Sequence, residues 1–203
     1  SGNVSFYNGT NKKNIFPTPV IGGVGLINNL SKPITHNFKS EKNLIIVIGK
    51  TFGHLEQSCF LKENYSIIEG RPPEINLLNE KNNGEAVLNL IDNKLIQSAH
   101  DVSNGGLIIT LSEMSIGSNI GVKIDRNRKL NDLNAYYFGE DQGRYVIEVE
   151  HKNLDNVEKL LKNDNIYYER IGITQQKYFE IENQIKLDIN DLFKINNQWY
   201  NNY

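Results

Sequence analysis

The sequence predicts a layered α/β domain, and three observations lead to this prediction. Apolar runs with the period of a strand alternate with runs that have the period of a helix, and the links between them are short. Residues 43–49 form a continuous apolar run that ends in glycine, which is typical of a central strand covered on both faces. Residues 98–107, Ser-Ala-His-Asp-Val-Ser-Asn-Gly-Gly-Leu, lead from a strand into a helix through a glycine-rich turn. We expect the rest of the chain to be organised around this turn.

The elements of this domain are expected in a fixed order along the chain. The predicted strands cover residues 43–49, 93–98, 120–125, 145–150, 166–173 and 177–187. The predicted helices cover residues 53–62, 74–91, 107–114, 130–138 and 154–161, followed by a polar helix that closes the chain and is capped by Asp188. Pro72 and Pro73 precede the second helix, where proline is well tolerated, and Glu74 suits its first turn.

Residues 1–7 alternate like a strand but have no neighbouring strand in the sequence. An isolated strand does not fold alone, so we interpret this one as the end of a separate domain. Prolines and glycines in residues 15–27 then suit a connector, although an ordinary loop has the same composition. We therefore expect residues 1–40 to contain a domain end with its connector, and residues 41–203 to form the α/β domain.

The composition excludes several classes of protein. The 203 residues carry a formal net charge of −2 with scattered Lys and Arg, so the sequence has no footprint for nucleic acid or for an anionic membrane. It contains no apolar stretch of the ~20 residues that a membrane span needs, and no visible signal peptide. The single cysteine, Cys59, excludes an intrachain disulfide scaffold. We expect a cytoplasmic protein.

The first of three polar clusters lies in the strand at the start of the chain and consists of Gly2, Asn3 and Ser5. In a strand, Asn3 and Ser5 point to the same face. An amide oxygen and a hydroxyl placed in this way suit a hydrated Mg²⁺ and a polar substrate, because magnesium takes hard oxygen ligands. A frayed amino terminus is the alternative interpretation.

The second cluster consists of His100, Asp101, Ser103, Gly105 and Gly106. Glycines allow a positive φ and a close approach of the backbone to a ligand, and the free N–H groups at a helix start favour a phosphate. Capping of the helix by Ser103 or Asn104 is the alternative, and it requires no ligand. A hydrolase triad is disfavoured, because closeness in sequence does not define a triad and no nucleophile-elbow pattern is present.

The third cluster is the loop that contains Glu140, Asp141, Gln142 and Arg144 between two glycines. Two carboxylates, an amide and a guanidinium suit a ligand loop, but they equally suit a solvated turn in which Arg144 pairs with Asp141. If the loop and the turn bind a phosphate, Asp101 repels it unless Asp101 turns away or a Mg²⁺ lies between them. No zinc spacing, P-loop or dinucleotide fingerprint is present.

Six ordered segments carry a resemblance to a known family. They are residues 2–8, 17–27, 51–54, 70–77, 98–107 and 138–145. In this order the sequence resembles the synthetase subunit of phosphoribosylformylglycinamidine synthase, of the small, multi-subunit bacterial type. This family belongs to the wider superfamily that resembles aminoimidazole ribonucleotide synthetase. Glu56 departs from the pattern, since a small residue is commoner there.

The resemblance implies a tandem duplication in which each half has a β-rich ATP-binding domain followed by an α/β domain. This chain would contain the end of the second β-rich domain and the last α/β domain, which has the fold of the carboxy-terminal domain of aminoimidazole ribonucleotide synthetase. The family is an ATP- and Mg²⁺-dependent carbon–nitrogen ligase of purine biosynthesis. It converts formylglycinamide ribonucleotide into its amidine with ammonia that comes from glutamine. As a fragment, the chain is expected to be inactive alone.

The resemblance also assigns residues and partners. Gly2 matches a position next to ATP, Asn3 a magnesium ligand and Ser5 a substrate contact, whereas the catalytic histidine belongs to the first half and not to this chain. The two later clusters face either a phosphate pocket or a pseudo-symmetric partner of the true site. The implied partners are the first half of the subunit, a glutaminase subunit and a small bridging subunit, with no nucleic acid and no membrane. Another superfamily member, or a non-catalytic packing and dimerisation domain, are the alternatives.

Overall fold

The structure is a computed structural model that describes residues 8–10, 13–15, 22–26, 33–125 and 132–201. The chain separates into two compact units, Ser1–Pro33 and Ile34–Tyr203. The described part of the first unit contains an antiparallel hairpin of β1 (Asn8–Thr10) and β2 (Lys13–Ile15). The strand predicted for residues 1–7 lies outside the described residues. The predicted division at residue 40, and the origin of the preceding segment in a β-rich domain, stay predictions.

The second unit is built on a seven-stranded sheet with the order β4-β6-β3-β7-β5-β8-β9. Its strands are β3 (Leu44–Ile48), β4 (Ser98–Asp101), β5 (Ile120–Ile124), β6 (Tyr145–Val149), β7 (Tyr168–Gln176), β8 (Tyr178–Ile181) and β9 (Ile185–Asp188). Strand β3 lies inside the sheet and pairs antiparallel with β6 and β7, whereas the pair β5–β8 is parallel. The sheet is therefore mixed and mainly antiparallel.

Helices cover both faces of this sheet. They are α1 (Cys59–Tyr65), α2 (Leu77–Asp92), α3 (Gly106–Ile116), α4 (Leu133–Phe138), α5 (Leu154–Asn163) and α6 (Ile189–Asn201). On one face Ile45 and Val47 of β3 pack in a core with residues of α3 and α4, and on the other Ile46 and Ile48 pack with residues of α2 and α5. This alternation explains why residues 44–48 are apolar at every position, and it confirms the prediction of a covered central strand.

Two predicted elements are displaced by contacts that are distant in sequence. The helix predicted for 53–62 begins only at Cys59, because the backbone N–H groups of residues 52–54 donate to Asp141 instead of entering a helix. The strand predicted for 93–98 begins at Ser98, because the chain turns at Asn93–Lys94 and pairing with β6 starts where Ser98 lies opposite Glu148. As a result His100 and Asp101 lie in β4 and not in the turn that follows it.

Smaller differences occur at the other element ends. Helix α2 begins at Leu77 with Asn76 as its cap, so Glu74 precedes the helix. The strand predicted for 177–187 is two strands, because the chain reverses at Asn183, which has a φ of 56°. The predicted cap of the last helix is confirmed, since the Asp188 carboxylate accepts the N–H of Asn190 at 2.9 Å.

A buried carboxylate joins the sheet to the segment before β3. Glu148 of β6 has 0% exposure. Its two oxygens accept the N–H groups of Lys39 (2.8 Å) and Ser40 (3.1 Å), the side-chain amide of Asn43 (2.8 Å) and the hydroxyl of Ser98 (2.9 Å). These four donors replace the water that a carboxylate loses on burial. Glu148 therefore fixes the 39–43 segment and β4 onto β6.

Candidate functional site

The second and third polar clusters meet at one cavity of about 270 Å³. The last residue of β4 contributes Asp101, the turn after it contributes Ser103, and the loop before β6 contributes Glu140, Gln142 and Arg144. The two segments meet because β4 and β6 are paired, with Asp101 opposite Tyr145. His100, Gly105 and Gly106 do not line this cavity, and Asp141 lines a neighbouring one.

The neighbouring cavity is larger, about 730 Å³, and it shares Glu56, Pro73, Glu80 and Gln142 with the first. Its other side is formed by the loop that follows β3, which includes Phe52 with 70% exposure. Glu80, near the start of α2, lines both cavities. The candidate site is therefore a two-chambered groove between the loop after β3, the start of α2 and the loop before β6.

The carboxylate of Asp141 is bound by backbone N–H groups of the loop after β3. Its carboxylate accepts the N–H groups of Phe52 (3.0 Å), Gly53 (2.9 Å) and His54 (3.2 Å). Gly53 has a φ of +80°, and this conformation lets successive N–H groups converge on one anion. Asp141 is 5% exposed, so these three N–H groups replace the water that its carboxylate loses on burial. Its side chain organises the wall of the groove.

Arg144 is buried beside it, with 1% exposure. Its guanidinium donates to the carbonyl oxygens of Asp141 (3.2 Å) and Gly139 (2.5 Å) and to the hydroxyl of Thr51 (3.2 Å), and it lies 3.8 Å from the Asp141 carboxylate. Burial lowers the pKa of Arg144 from its ordinary value, and the Asp141 charge opposes this shift. The interpretation in which Arg144 pairs with Asp141 fits this geometry, but both side chains are buried and not solvated.

The Asp141→Asn substitution should lower the free energy of unfolding by about 2–4 kcal/mol. The amide NH₂ of asparagine would face backbone N–H groups, and the buried Arg144 would lose its counter-charge. Urea unfolding of the two proteins measures the difference. Asp132 is the matched control, because it accepts two N–H groups as the exposed cap of α4, where asparagine serves equally well. An equal loss in Asp132→Asn would contradict this account.

Glu140 caps two helices at once. The same carboxylate oxygen, Oε1, accepts the N–H of Cys59 at the start of α1 and the N–H of Gly105 at the start of α3, both at 2.8 Å. The alternative in which Ser103 or Asn104 caps α3 is wrong, because Gly105 is the cap residue and its φ is +78°. The pKa of Cys59 is raised by burial and then by the nearby Glu140 charge.

His100 lies on the edge strand and is bound to acidic partners. Its Nδ1 is 3.1 Å from Asp101 and its Nε2 is 3.3 Å from Glu113, and its ring centroid is 5.2 Å from that of His36. Ser103 takes no part in these contacts. The arrangement satisfies a structural histidine and does not activate a hydroxyl nucleophile.

The groove is acidic. Glu56, Glu80, Asp101 and Glu140 line the smaller cavity, and the only lining guanidinium or ammonium group there among the described residues is the buried Arg144. The pKa of Tyr145 is raised by burial first and then by the charges of Glu80 and Asp101. A bare phosphate is therefore repelled from this cavity, whereas a cation or an uncharged polar group is favoured.

Sequence reasoning missed three residues that shape the groove. His54, Glu56 and Gln57 together bind the 70–71 turn: Glu56 accepts the N–H of Arg71 (2.5 Å), His54 Nε2 contacts the carbonyl of Arg71 (2.9 Å), and Gln57 donates to the carbonyl of Gly70 (2.6 Å). Gly70 has a φ of +110°, and a Cβ there would lie 2.6 Å from the Glu56 carboxylate. The Thr-Phe-Gly-His segment, residues 51–54, could have pointed to them, since it resembles a family motif, contains His54 and lies just before Glu56 and Gln57.

The first cluster, Gly2, Asn3 and Ser5, lies outside the described residues. Within residues 33–125 and 132–201 and the short described segments before them, no group of three or more His, Cys, Asp or Glu side chains is placed to hold a metal ion. The described helices also include none that is long and apolar enough to cross a membrane.

Comparison with known proteins assigns the domain that carries this groove. The family model described as AIR synthase related protein, C-terminal domain, matches residues 41–181. The chain belongs to this family. The α/β domain predicted from the sequence is thus an AIR synthase related carboxy-terminal domain.

The chain is also similar to longer proteins over its whole length. It is 46% identical over 203 residues to phosphoribosylformylglycinamidine synthase subunit PurL of Pelagibacter ubique (strain HTCC1062), and 38% identical to the same subunit of Rhodopseudomonas palustris (strain HaA2). These alignments cover 100% of the chain but only 28% of each relative. The predicted resemblance to this synthase subunit is confirmed, and the chain spans less than a third of the relatives that it matches.

Solved structures agree on the fold. Thermotoga maritima PurL complexed with ATP matches with a TM-score of 0.61 and 12% identity, covering 79% of this chain and 27% of that one. Thiamine-monophosphate kinase from Stenotrophomonas maltophilia K279a matches with a TM-score of 0.51 and 15% identity, covering 73% of this chain and 52% of that one. The AIR synthase related fold is therefore confirmed.

Proposed function

We propose that this AIR synthase related chain is a portion of a phosphoribosylformylglycinamidine synthase. This enzyme is an ATP-dependent carbon–nitrogen ligase that converts formylglycinamide ribonucleotide into formylglycinamidine ribonucleotide in purine biosynthesis, with ammonia from glutamine. The observation that carries the proposal is the 46% identity to the Pelagibacter subunit across all 203 residues. The order of the groove segments along the chain supports it.

The proposed ligands are ATP, Mg²⁺ and formylglycinamide ribonucleotide. Solved neighbours are Thermotoga maritima PurL complexed with ATP and with FGAR, the latter with a TM-score of 0.62 and 13% identity. We assign ATP contact to Gly2, magnesium ligation to Asn3 and substrate contact to Ser5 by resemblance. The described residues offer no metal-binding cluster of their own.

We assign the groove to a ligand-facing role that supports this site. Ser103 and Gln142 line it, and within the described part of the chain neither side chain has a hydrogen-bond partner. They are free to meet a ligand, whereas Glu140, Asp141 and Arg144 contact the protein itself. The acidic lining favours a hydroxyl-rich ligand, or a phosphate that arrives with a cation.

The proposed partners are the remainder of the same subunit, a glutaminase subunit and a small bridging subunit, with no nucleic acid and no membrane. A solved neighbour is the structure of PurLQS from Thermotoga maritima, with a TM-score of 0.59 and 16% identity. A cytoplasmic location is proposed with this function.

A non-catalytic packing domain is the second candidate. One observation favours it: the charged groups of the 139–144 loop satisfy backbone groups and thus explain the loop without any ligand. Titration of the 203-residue chain with ADP and Mg²⁺ separates the two candidates. Binding that is lost in the Ser103→Ala/Gln142→Ala double variant supports a ligand-facing groove, and no binding supports packing alone.

A chimera tests the function of the whole enzyme. The matching segment of the Pelagibacter subunit is replaced by this chain, and ADP release that depends on formylglycinamide ribonucleotide and ammonium is measured. We expect activity within about tenfold of the parent subunit, and loss of activity in a folded chimera that carries Asn3→Ala. The 203-residue chain alone should release no ADP. A chimera that folds like the parent subunit but is inactive without any substitution would contradict the proposal.

A further inference from the structure

We infer that Glu140 acts as an internal anion, which occupies the anion position that the glycine-rich turn would otherwise offer to a ligand from solution. One carboxylate oxygen accepts the N–H groups of Cys59 and Gly105, each at 2.8 Å. Cys59 is the first residue of α1 and Gly105 is the cap residue of α3, so one oxygen joins the starts of two helices. The inference rests on these contacts and does not depend on the proposed function.

The position favours a negative charge because the local caps leave two N–H groups without an acceptor. The first N–H groups of a helix have no partner inside the helix, and the dipole favours an anion there. In α3 the cap residue is Gly105, which has no side chain to accept a hydrogen bond. In α1 the Ser58 hydroxyl accepts the N–H of Leu61 and leaves that of Cys59. Glu140 supplies the acceptor that neither cap provides.

The carboxylate is held in place from both sides. The N–H of Glu140 donates to the carbonyl of His54 at 2.9 Å. The preceding residue, Gly139, accepts from the buried Arg144, and the following residue, Asp141, binds residues 52–54. An anion that is part of the fold loses little freedom on binding, whereas an anion from solution must be immobilised. The internal carboxylate therefore outcompetes a free one at this position.

This arrangement determines which ligands the groove accepts. Glu140 lines the smaller cavity together with Glu56, Glu80 and Asp101. With the helix N–H groups occupied and three further carboxylates nearby, the start of α3 rejects anions in the native protein. Removing the Glu140 carboxylate should expose the two N–H groups to a small anion from the cavity.

Thermal unfolding of the 203-residue chain with acetate as the probe tests this inference. Glu140→Ala should lower the Tm by about 5 °C or more, because two helix starts lose their cap. Replacing chloride by acetate at constant ionic strength should return at least half of that loss, and the return should increase with acetate concentration. The wild-type protein should gain nothing from acetate. Asp132→Ala removes a carboxylate cap from one exposed helix start, so it should lose less and show no acetate-specific gain.

Amide hydrogen exchange provides a readout that a general loss of stability would not reproduce. The N–H groups of Cys59 and Gly105 should exchange faster in Glu140→Ala and slower again in acetate, relative to the neighbouring amides. Glu140→Gln keeps an acceptor oxygen without the charge, so it should lose less Tm than Glu140→Ala and respond little to acetate. If Glu140→Ala does not fold, Glu140→Gln decides by its stability alone. Wild-type stability in either variant, or an equal acetate gain in the wild type, would overturn the inference.

Discussion

Replacing Gly106 with valine should lower the free energy of unfolding by about 4 kcal/mol or more. Gly106 opens α3 with a φ of +72°, which side chains rarely adopt. An added Cβ would lie 2.7 Å from both the carbonyl oxygen of Gly139 and the carbonyl carbon of Phe138. Because these neighbours are backbone atoms of the loop that holds Glu140, they cannot move aside independently. Urea unfolding measures the loss, and Gly106→Ala should show a smaller loss of the same sign.

Gly84 in α2 is the matched control. Its added Cβ would meet only the Tyr145 hydroxyl, at the ordinary contact distance of 3.5 Å. Alanine is a better helix former than glycine, so Gly84→Ala should stabilise the chain by about 0.5–1 kcal/mol. If Gly106→Ala were as stable as Gly84→Ala, the close packing of α3 against the 138–139 backbone would not explain Gly106.

The second large effect is expected at Glu148. Glu148→Ala should lower the free energy of unfolding by about 3–5 kcal/mol, because it removes the acceptor of four donors, in Lys39, Ser40, Asn43 and Ser98, of which Asn43 and Ser98 are buried. Denaturant unfolding at neutral pH gives the value. The effect is large because the Asn43 and Ser98 donors are buried, where water replaces the lost acceptor poorly.

A double-mutant cycle separates the shared contact from the loss of volume. Ser98→Ala removes one of the four donors and should cost much less than Glu148→Ala. The free energy of unfolding lost in the double variant should be smaller than the sum of the losses in the two single variants, with a coupling of about 0.5–3 kcal/mol. Strict additivity would mean that the 2.9 Å contact between the two side chains contributes nothing.

Local sequence pattern was sufficient for elements that are amphipathic or apolar along their own length. The run Leu44–Ile48 has no polar interruption, and it became the strand covered on both faces. Helix α5 alternates buried Val157 and Leu161 with charged residues, and its start agrees with the prediction at residue 154. In both cases the pattern that predicts the element lies within the element's own residues.

Local pattern failed where a backbone group is satisfied by a side chain far along the sequence. The segment Phe52–His54 has helix-compatible residues, but its N–H groups bind Asp141, almost ninety positions away. The loop that contains Glu140 and Arg144 has a composition that suits either a solvated turn or a ligand-binding loop. Only the tertiary structure shows that both charged side chains form hydrogen bonds with the protein's own backbone. The alternatives left open for this loop could therefore not be separated by composition.

The order of strands in the sheet has a consequence for how the chain is made. Strand β3 leaves the ribosome before its partners β6 and β7, in which Ile46 lies opposite Ile147 and Arg170. Until those partners are synthesised, the segment Leu-Ile-Ile-Val-Ile is an apolar strand with both edges open, the kind of segment that aggregates most readily. Non-local pairing of this kind also slows folding. Newly made protein should therefore depend on chaperone protection of residues 44–48 until residue 176 has emerged.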